Sequence, residues 1–125
     1  MNTLIEATTK FEKDLKRLSE YEQSLVIKEI KHCTELFKTR KAHLYRTKLS
    51  PAPHLLNLNG YQSSLHTLKI ADKIRIILSV DEDPIFGQVI FTLHRATKQH
   101  ELNNAYKNIA QALYQELIHH PQQTA

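Results

Sequence analysis

The stretch SLHTLKIADKIRIILSVDEDPIFGQVIFTLHR, from Ser64 to Arg95, decides the fold of this 125-residue chain. Its first part, SLHTLKIA, alternates apolar and polar side chains at its centre, and IRIILSV is rich in Ile and Val, which favour β-strands. QVIFTLHR follows as a third strand after the polar loop DEDPIFG, and Asp72–Lys73 forms a tight turn between the first two strands. Three strands with such short connections predict an antiparallel meander.

The N-terminal third predicts one strand and a helical hairpin. TLIEAT, Thr3–Thr8, is compatible with a short β-strand. Thr9–Glu12 and Ser19–Glu22 both have the capping-box form, a hydroxyl residue followed by a carboxylate three positions later. Apolar residues at helical spacing follow each box, which predicts two helices with a tight joint at Ser19. Cys33 lies on the apolar face of the second helix, so we interpret it as a core residue rather than a reactive thiol.

The C-terminal part predicts one more helix after the strands. Upstream of the strands, Ser50–His54 carries two prolines that exclude a helix interior, and Asn59–Gly60 is a turn signal. Glu101–Ile118 has a single apolar stripe, made of Leu102, Ala105, Tyr106, Ile109, Leu113 and Leu117. The order β-α-α-β-β-β-α predicts one α+β domain over residues 1–125. We expect a small, twisted, mainly antiparallel sheet, an N-terminal helical hairpin and an extra C-terminal helix, with the helices on one face of the sheet.

Composition and charge exclude several classes of protein. Apolar residues make up 41% of the chain and charged residues 24%, which is typical of a globular domain. No apolar run is long enough to span a membrane and no signal peptide is recognisable, so we expect a cytoplasmic protein. A single cysteine excludes an internal disulfide. The net charge of +4 is concentrated between Lys38 and Lys48, a segment without acidic residues. This basic segment is either a solvated loop or a contact for phosphate or an acidic partner. The contact would be made by Lys38, Arg40, Lys41, Arg46 and Lys48.

A second group of cations lies at the strand ends. If the last two strands pair around DEDPIFG, residues near Arg75 and His94 are expected to lie opposite each other, with Arg95 adjacent and Lys69 on the neighbouring strand. Such a cluster could bind a phosphodiester and stabilise the charge of its transition state. His94 could then act as an acid or base near neutral pH. The alternative is a solvent-facing sheet end whose charges have no chemical role.

Other chemistries have weaker signals. The histidines show no HExxH form or other metal-ligand spacing, so we expect neither a metal nor a cofactor. With two glycines and no GxSxG motif, the chain has neither a phosphate-binding P-loop nor a serine nucleophile elbow. Tyr106 could stack on an unpaired base, but its place on the apolar stripe also suits a core residue.

Three stretches together resemble the RelE/ParE superfamily, the toxins of bacterial type II toxin–antitoxin pairs. ATTKFEKDLKRL looks like that family's entry into its helical hairpin. LHTLKIADKIRIILSVDED looks like its central strand pair, and FTLHRATKQHELNNAY like its last strand and the region before a downstream tyrosine. The resemblance covers nearly the whole chain and implies a small sheet flanked by a helical hairpin. It also implies an antitoxin partner whose amphipathic segment covers the helices or the sheet edge.

For RelE-like members the resemblance implies metal-independent cleavage of mRNA in the ribosomal A site. By motif, Arg75 and Lys69 match basic residues of the central strands, and Arg95 with His94 matches the basic position that ends the last strand. Tyr106 matches the C-terminal tyrosine at a longer spacing, and His100 could fill part of its role. The chain departs from active nucleases at Thr67, where another basic residue is common, and in its long C-terminal helix.

Three functions therefore remain open. The first is a ribosome-dependent mRNA endonuclease that uses the mRNA 2′-hydroxyl as nucleophile, with the basic segment 38–48 on ribosomal RNA. The second is a gyrase inhibitor of the ParE branch, which shares the fold and lacks the nuclease residues. The third is an inactive member that only binds an antitoxin.

Overall fold

The computed structural model describes residues 2–52 and 65–119, with side chains as far as residue 112. In the described residues, one strand and three helices precede a run of four strands, and a last helix follows. In chain order they are β1 (Asn2–Ala7), α1 (Thr9–Lys16), α2 (Glu20–Thr39), α3 (Lys41–Thr47), β2 (Leu49–Pro51), β3 (Leu65–Ile70), β4 (Ile74–Asp83), β5 (Gln88–Lys98), a 3-10 turn (Gln99–Glu101) and α4 (Leu102–His119). The predicted turn at Asn59–Gly60 lies outside the described residues.

The strands form one sheet in the order β1-β5-β4-β3-β2. β3, β4 and β5 pair antiparallel, which confirms the predicted meander. β1 joins β5 in parallel at one edge, and β2 joins β3 antiparallel at the other. Pro51 ends β2, a position where an edge strand tolerates the missing N–H group. The fold is therefore α+β with a mainly antiparallel sheet, as expected.

The register between β4 and β5 differs from the predicted one. β5 continues to Lys98 and contains a β-bulge, because Ile77 pairs with Arg95 while Leu78 pairs with Leu93. His94 is the additional residue of this bulge. The hairpin turn spans only residues 84–87, so its centre lies further along the chain than the sequence suggested. Arg75 consequently pairs with Thr97, and the expectation that Arg75 faces His94 was wrong.

Helices cover both faces of the sheet. Leu68, Ile76 and Leu78 pack against α1, α2 and α3 in the main core. Leu65 and Ile77 point to the other face, where they meet Ala105, Tyr106 and Ile109 of α4. The prediction that all helices lie on one face was therefore wrong. Burial of every residue in Ile74–Val80 reflects this arrangement, since a central strand covered on both sides reads as a continuous apolar run.

The N-terminal helical hairpin is confirmed, with one change of cap. Ser19 and Glu22 form the predicted capping box through two hydrogen bonds of 3.1 Å. At α1, however, Thr8 rather than Thr9 caps the helix, and its hydroxyl accepts from the N–H of Phe11. Thr8 also donates to the carbonyl of His94, so its side chain joins the helix start to β5. Cys33 is 2% exposed within the core, as predicted.

The basic segment is helical rather than a loop. It comprises the end of α2, the joint at Arg40 and the whole of α3. Leu44 is fully buried and Tyr45 packs edge-on against Phe37, so two apolar side chains attach α3 to the core. In the sequence these two apolar residues lie among cations, so no apolar stripe predicts the helix α3. None of the helices that the structure describes is both long and apolar enough to cross a membrane.

Candidate functional site

Three neighbouring strands place Lys69, Arg75 and Thr97 in one row. Lys69 pairs with Arg75 across β3 and β4, and Arg75 pairs with Thr97 across β4 and β5. The row lies beside the β3–β4 turn, at one end of the sheet. It brings together Lys69 and Arg75, which the sequence assigned to adjacent strands, and it adds Thr97, which lies beyond the predicted strand end at Arg95.

Arg75 carries a buried charge that no acidic side chain of the described residues pairs with. The residue is 9% exposed, and its Nη1 donates to the carbonyls of Ile74 at 3.0 Å and Asp72 at 3.3 Å. No carboxylate of the described residues lies within 4 Å of its guanidinium. Because a buried charge is costly unless it is paired, this position favours an incoming anion. The buried Oγ1 of Thr97 likewise has no hydrogen-bond partner within residues 2–52 and 65–112.

An open cleft of about 800 Å³ lies at the same end of the sheet. It is lined by Lys73, Lys98, Gln99, His100 and Asn103. The N–H of Gln99 donates to the carbonyl of Lys73 at 2.8 Å and holds the end of β5 against the β3–β4 turn. The His100 side chain is 78% exposed, and its nearest acidic neighbour is Glu101 at 3.4 Å. The cleft thus combines two lysines with an accessible imidazole.

Lys98 is held in this cleft by an ion pair. Its Nζ donates to Glu22 at 2.7 Å, and this bond is the main reason why the pKa of the Glu22 carboxyl is lowered. Lys73 forms no ion pair with any described residue. Neither Lys73 nor Lys98 was predicted as a site residue. Continued alternation through Ala96, Thr97 and Lys98 is the signal that would have extended β5 and revealed Lys98.

His94 and Arg95 lie in a different cleft, of about 370 Å³, between the start of α1 and α4. Nε2 of His94 is 3.1 Å from the hydroxyl of Ser79. Burial lowers the pKa of His94, and the charge of Asp81 opposes this shift. The bulge therefore directs the imidazole towards the α4 side of the sheet, away from the cleft that contains His100.

Arg95 is engaged by a carboxylate of α1. Its Nε and Nη2 donate to Asp14 at 2.6 and 3.2 Å, and the backbone N–H of Ala96 donates to the same carboxylate at 3.0 Å. The bond to Asp14 raises the pKa of the Arg95 guanidinium. Arg95, which matches a basic family position in the sequence, thus joins α1 to β5 in the folded chain.

Tyr106 is enclosed between α4 and the sheet. It is 1% exposed, and its hydroxyl lies 2.6 Å from Oγ1 of Thr67. Burial raises the pKa of this tyrosine. The six predicted catalytic residues therefore do not form one cluster. Lys69, Arg75 and His100 lie at one sheet end, and His94 and Arg95 lie in a second cleft. The side chain of Tyr106 is buried between α4 and the sheet.

The basic segment lies near the opposite end of the sheet. Lys41 pairs with Glu82 at 2.8 Å, seven residues along β4 from Arg75, which corresponds to roughly 23 Å at about 3.3 Å per residue. Lys48 lies 3.7 Å from Glu29. Partial desolvation, followed by the charges of nearby cations, lowers the pKa of His43; those cations are Arg40, Arg46 and Lys48. The segment thus forms a cationic surface separate from the His100 cleft.

Comparison with known proteins finds solved structures with a similar fold. No protein-family model and no curated protein sequence matches the chain. YafQ from E. coli strain BL21(DE3) is similar in structure, with a TM-score of 0.51 and 14% identity over 78% of this chain and 94% of that one. A chain of the RelBE2 toxin-antitoxin complex from Mycobacterium tuberculosis has a TM-score of 0.46 and 12% identity over 79% and 100% of the two chains. The chain therefore shares its α+β fold with YafQ, which confirms the fold expected from the sequence resemblance.

Proposed function

We propose that the chain is the toxin of a type II toxin–antitoxin pair and that it cleaves mRNA on the ribosome. The observation that carries this proposal is the cationic cleft with an exposed imidazole, formed by Lys73, Lys98 and His100. It lies at the sheet end that holds Arg75, which has no acidic partner in the described part of the chain. The RelE-like fold supports the assignment to toxins. A cognate antitoxin is the expected partner.

The proposed reaction is an internal phosphoryl transfer. The mRNA 2′-hydroxyl attacks the adjacent phosphorus, and the bond from phosphorus to the 5′-oxygen of the next nucleotide breaks. The products are a 2′,3′-cyclic phosphate and a 5′-hydroxyl, so one proton is removed from the nucleophile and one is delivered to the leaving oxygen. This route uses a nucleophile supplied by the RNA, and its sequence of steps does not call for a metal or cofactor.

His100 is the proposed acid or base, because its imidazole is exposed in the cleft while His94 bonds to Ser79. Lys69 and Arg75 are proposed to stabilise charge on the scissile phosphate, which is the transition-state role for which preorganised cations are most effective. Arg95 would contribute through its bond to Asp14, by holding α1 against β5. Tyr106 could reach the RNA only if α4 moved from the sheet.

The ribosome is proposed to contact the basic surface of α2 and α3. This surface comprises Lys38, Arg40, Lys41, Arg46 and Lys48. It lies roughly 23 Å from the row that contains Arg75, measured along β4. Ribosomal RNA could therefore bind one end of the sheet while mRNA enters the cleft at the other. Binding through phosphate contacts would weaken steeply as the salt concentration rises.

Induced expression in bacteria tests the proposal. We expect the wild type to stop growth and to produce cuts in ribosome-bound mRNA. His100→Ala should reduce the cleavage rate by about two orders of magnitude or more, since proton transfer typically contributes that much. His32→Ala, at an exposed histidine on α2 outside the cleft, is the matched control and should cut like the wild type. Immunoblots would establish equal protein levels.

Other outcomes would replace the proposal. Growth arrest with intact mRNA and inhibited DNA gyrase would assign the chain to the ParE-like alternative. Normal growth at confirmed expression of the wild type would leave an inactive, antitoxin-binding protein. Equal cleavage by His100→Ala and the wild type would remove His100 from the mechanism, and the same assay on His94→Ala would then test the second cleft.

A further inference from the structure

Lys98 is the last residue of β5, and its side chain links two parts of the molecule. It lines the open cleft together with Lys73 and His100. Its Nζ also donates to Oε2 of Glu22, near the start of α2, at 2.7 Å. The side chain of Lys98 is 36% exposed and that of Glu22 is 29% exposed. The ion pair therefore lies at the surface, where an RNA phosphate can approach it.

The Glu22 carboxylate is fixed independently of Lys98. Its Oε1 accepts from the backbone N–H of Ser19 at 3.1 Å, while the Ser19 hydroxyl accepts from the N–H of Glu22. This capping box binds one carboxylate oxygen and leaves the other for Lys98. The negative charge of Glu22 therefore stays beside the cleft even when Lys98 turns towards another anion.

The two lysines of the cleft differ in their availability to an anion. Lys73 forms no ion pair in the described part of the chain, whereas Lys98 is paired with Glu22. The bond to Lys98 is the main cause of the lowered pKa of the Glu22 carboxyl, so Glu22 is ionised at neutral pH. A phosphate that binds Lys98 must therefore displace a carboxylate and then lies close to its charge. Exposed ion pairs are weak, which makes this exchange feasible.

We infer that Glu22 limits the affinity of the cleft for RNA by competing with a phosphate for Lys98. Lys98 releases Glu22 when RNA binds, while the bond to Ser19 holds the carboxylate in place. The inference rests on the proposed function in that the ligand is taken to be RNA, and it assigns a regulatory role to Glu22. A cleft weakened in this way favours RNA that a second contact already holds nearby, since linked contacts raise the effective concentration.

The probe is a 2′-O-methyl RNA trinucleotide, which lacks the 2′-hydroxyl nucleophile and is therefore not cleaved by the proposed reaction. NMR titration of the full chain gives a separate dissociation constant for each of its cationic surfaces. The amides of Gln99 and Asn103 report on the cleft. The amide of Arg46, in α3, reports on the basic surface of α2 and α3.

Glu22→Gln removes the competing charge and retains an oxygen that can accept from Ser19. We expect the dissociation constant at the cleft to fall about fivefold, which is the upper range for an exposed ion pair. The logarithm of the affinity should also depend more steeply on the logarithm of the salt concentration, by up to about 0.7. The reason is that no carboxylate takes up a counterion when Lys98 turns to the RNA. The dissociation constant at Arg46 should not change.

Two further variants locate the effect. Glu20→Gln makes the same change of charge at an exposed residue in the first turn of α2, outside the ion pair. It should change the dissociation constant at the cleft by less than about twofold, because solvent screens that charge. Lys98→Gln leaves the Glu22 charge without a cation, so the cleft should bind RNA more weakly, and adding Glu22→Gln should restore affinity towards the wild-type value. Circular dichroism establishes that each variant is folded.

Weaker binding by Glu22→Gln would overturn the inference, because Glu22 would then hold Lys98 in place for RNA. An unchanged dissociation constant, or equal effects of Glu20→Gln and Glu22→Gln, would overturn it as well. No binding at Gln99 and Asn103 in either protein would reject both the inference and the proposed RNA cleft. Tighter binding by Glu22→Gln in a chain that is not toxic would retain the inference and reject the toxin. Toxicity without an effect of Glu22→Gln on binding would do the reverse.

Discussion

At the scale of single residues, the fold separates cations that look equivalent in the sequence. Arg75 and Arg95 both lie in β-strands. Among the residues that the structure describes, Arg95 bonds to the Asp14 carboxylate, while Arg75 donates to backbone carbonyls alone. Asp14 lies 81 positions from Arg95, so no local pattern could reveal that pair. An arginine without a carboxylate retains its capacity to bind an anion, which makes Arg75 the stronger candidate for a ligand-binding role.

The environment of His94 predicts a pH-dependent contribution to stability. Burial lowers its pKa in the folded chain below the ordinary value of 6.5, so the unfolded chain binds a proton first as the pH falls. The stability that comes from the neutral imidazole is therefore complete above about pH 6.5 and is lost as the pH falls towards the folded-state pKa. In His94→Gln, the free energy of unfolding should fall less between about pH 7 and pH 5.5 than in the wild type.

Urea unfolding at the two pH values measures this difference. Glutamine retains a group that can bond to Ser79 and cannot titrate in this range. His32→Gln, at an exposed histidine, is the control and should show the pH dependence of the wild type. Identical pH dependence in His94→Gln and the wild type would contradict the burial argument.

At the scale of elements, the sequence identified most helices and strands, while their packing depended on distant partners. Ser19 starts α2 because its capping box involves residues three positions apart. The stripe on α4 likewise follows from residues within one helix. Which face of the sheet receives that stripe depends on Leu65 and Ile77, which lie far from α4 along the chain. The local signals therefore predicted α4 without predicting its position.

The contact between α4 and β3 predicts a coupled pair of side chains. Tyr106→Phe removes the hydroxyl that lies 2.6 Å from Thr67 and leaves the Thr67 hydroxyl buried without a partner. The free energy of unfolding should fall by about 1–3 kcal/mol, the usual cost of an unsatisfied buried group. Adding Thr67→Val removes that group, so the double variant should lose less stability than the sum of the single variants.

A double-mutant cycle in urea measures this coupling. Amide exchange in α4 should increase in Tyr106→Phe because the helix loses its polar contact with the sheet. Additive effects of the two substitutions would show that the hydroxyls do not interact in solution.

At the scale of the whole molecule, helices on both faces of the sheet enclose a core that spans most elements. Cys33 lies in that core, and burial raises the pKa of its thiol to about 12. We expect no measurable reaction with Ellman's reagent at about pH 8 until the chain opens, since the thiolate is the reactive form. The reaction rate in increasing urea should then follow the open population.

A matched cysteine provides the control for this measurement. Thr39→Cys in the Cys33→Ser background places a thiol at an exposed position near the end of the same helix. It should react immediately in native buffer. Fast reaction of wild-type Cys33 under the same conditions would show that α2 opens without global unfolding.

The candidate site was predictable in its residue types and less so in its assembly. Lys69, Arg75 and His100 were predicted as site residues from strand patterning and resemblance, and the first two lie in one row of the sheet. Lys73 and Lys98 join His100 in the open cleft only because Gln99 bonds to the β3–β4 turn. Residue types alone could not separate this cleft from the one that contains His94.

The sequence by itself determined the meander, the helical hairpin and the amphipathic α4, because these depend on periodicity, caps and turns within a few residues. Only the tertiary structure decided the bulge at His94, the side of the sheet that α4 covers, the helical form of α3 and the pairing of Arg95 with Asp14. Each of these depends on contacts between distant parts of the chain, where burial and hydrogen bonding outweigh local preference. Those contacts leave Arg75 without a carboxylate partner among the described residues, and the proposed binding of the scissile phosphate depends on this feature.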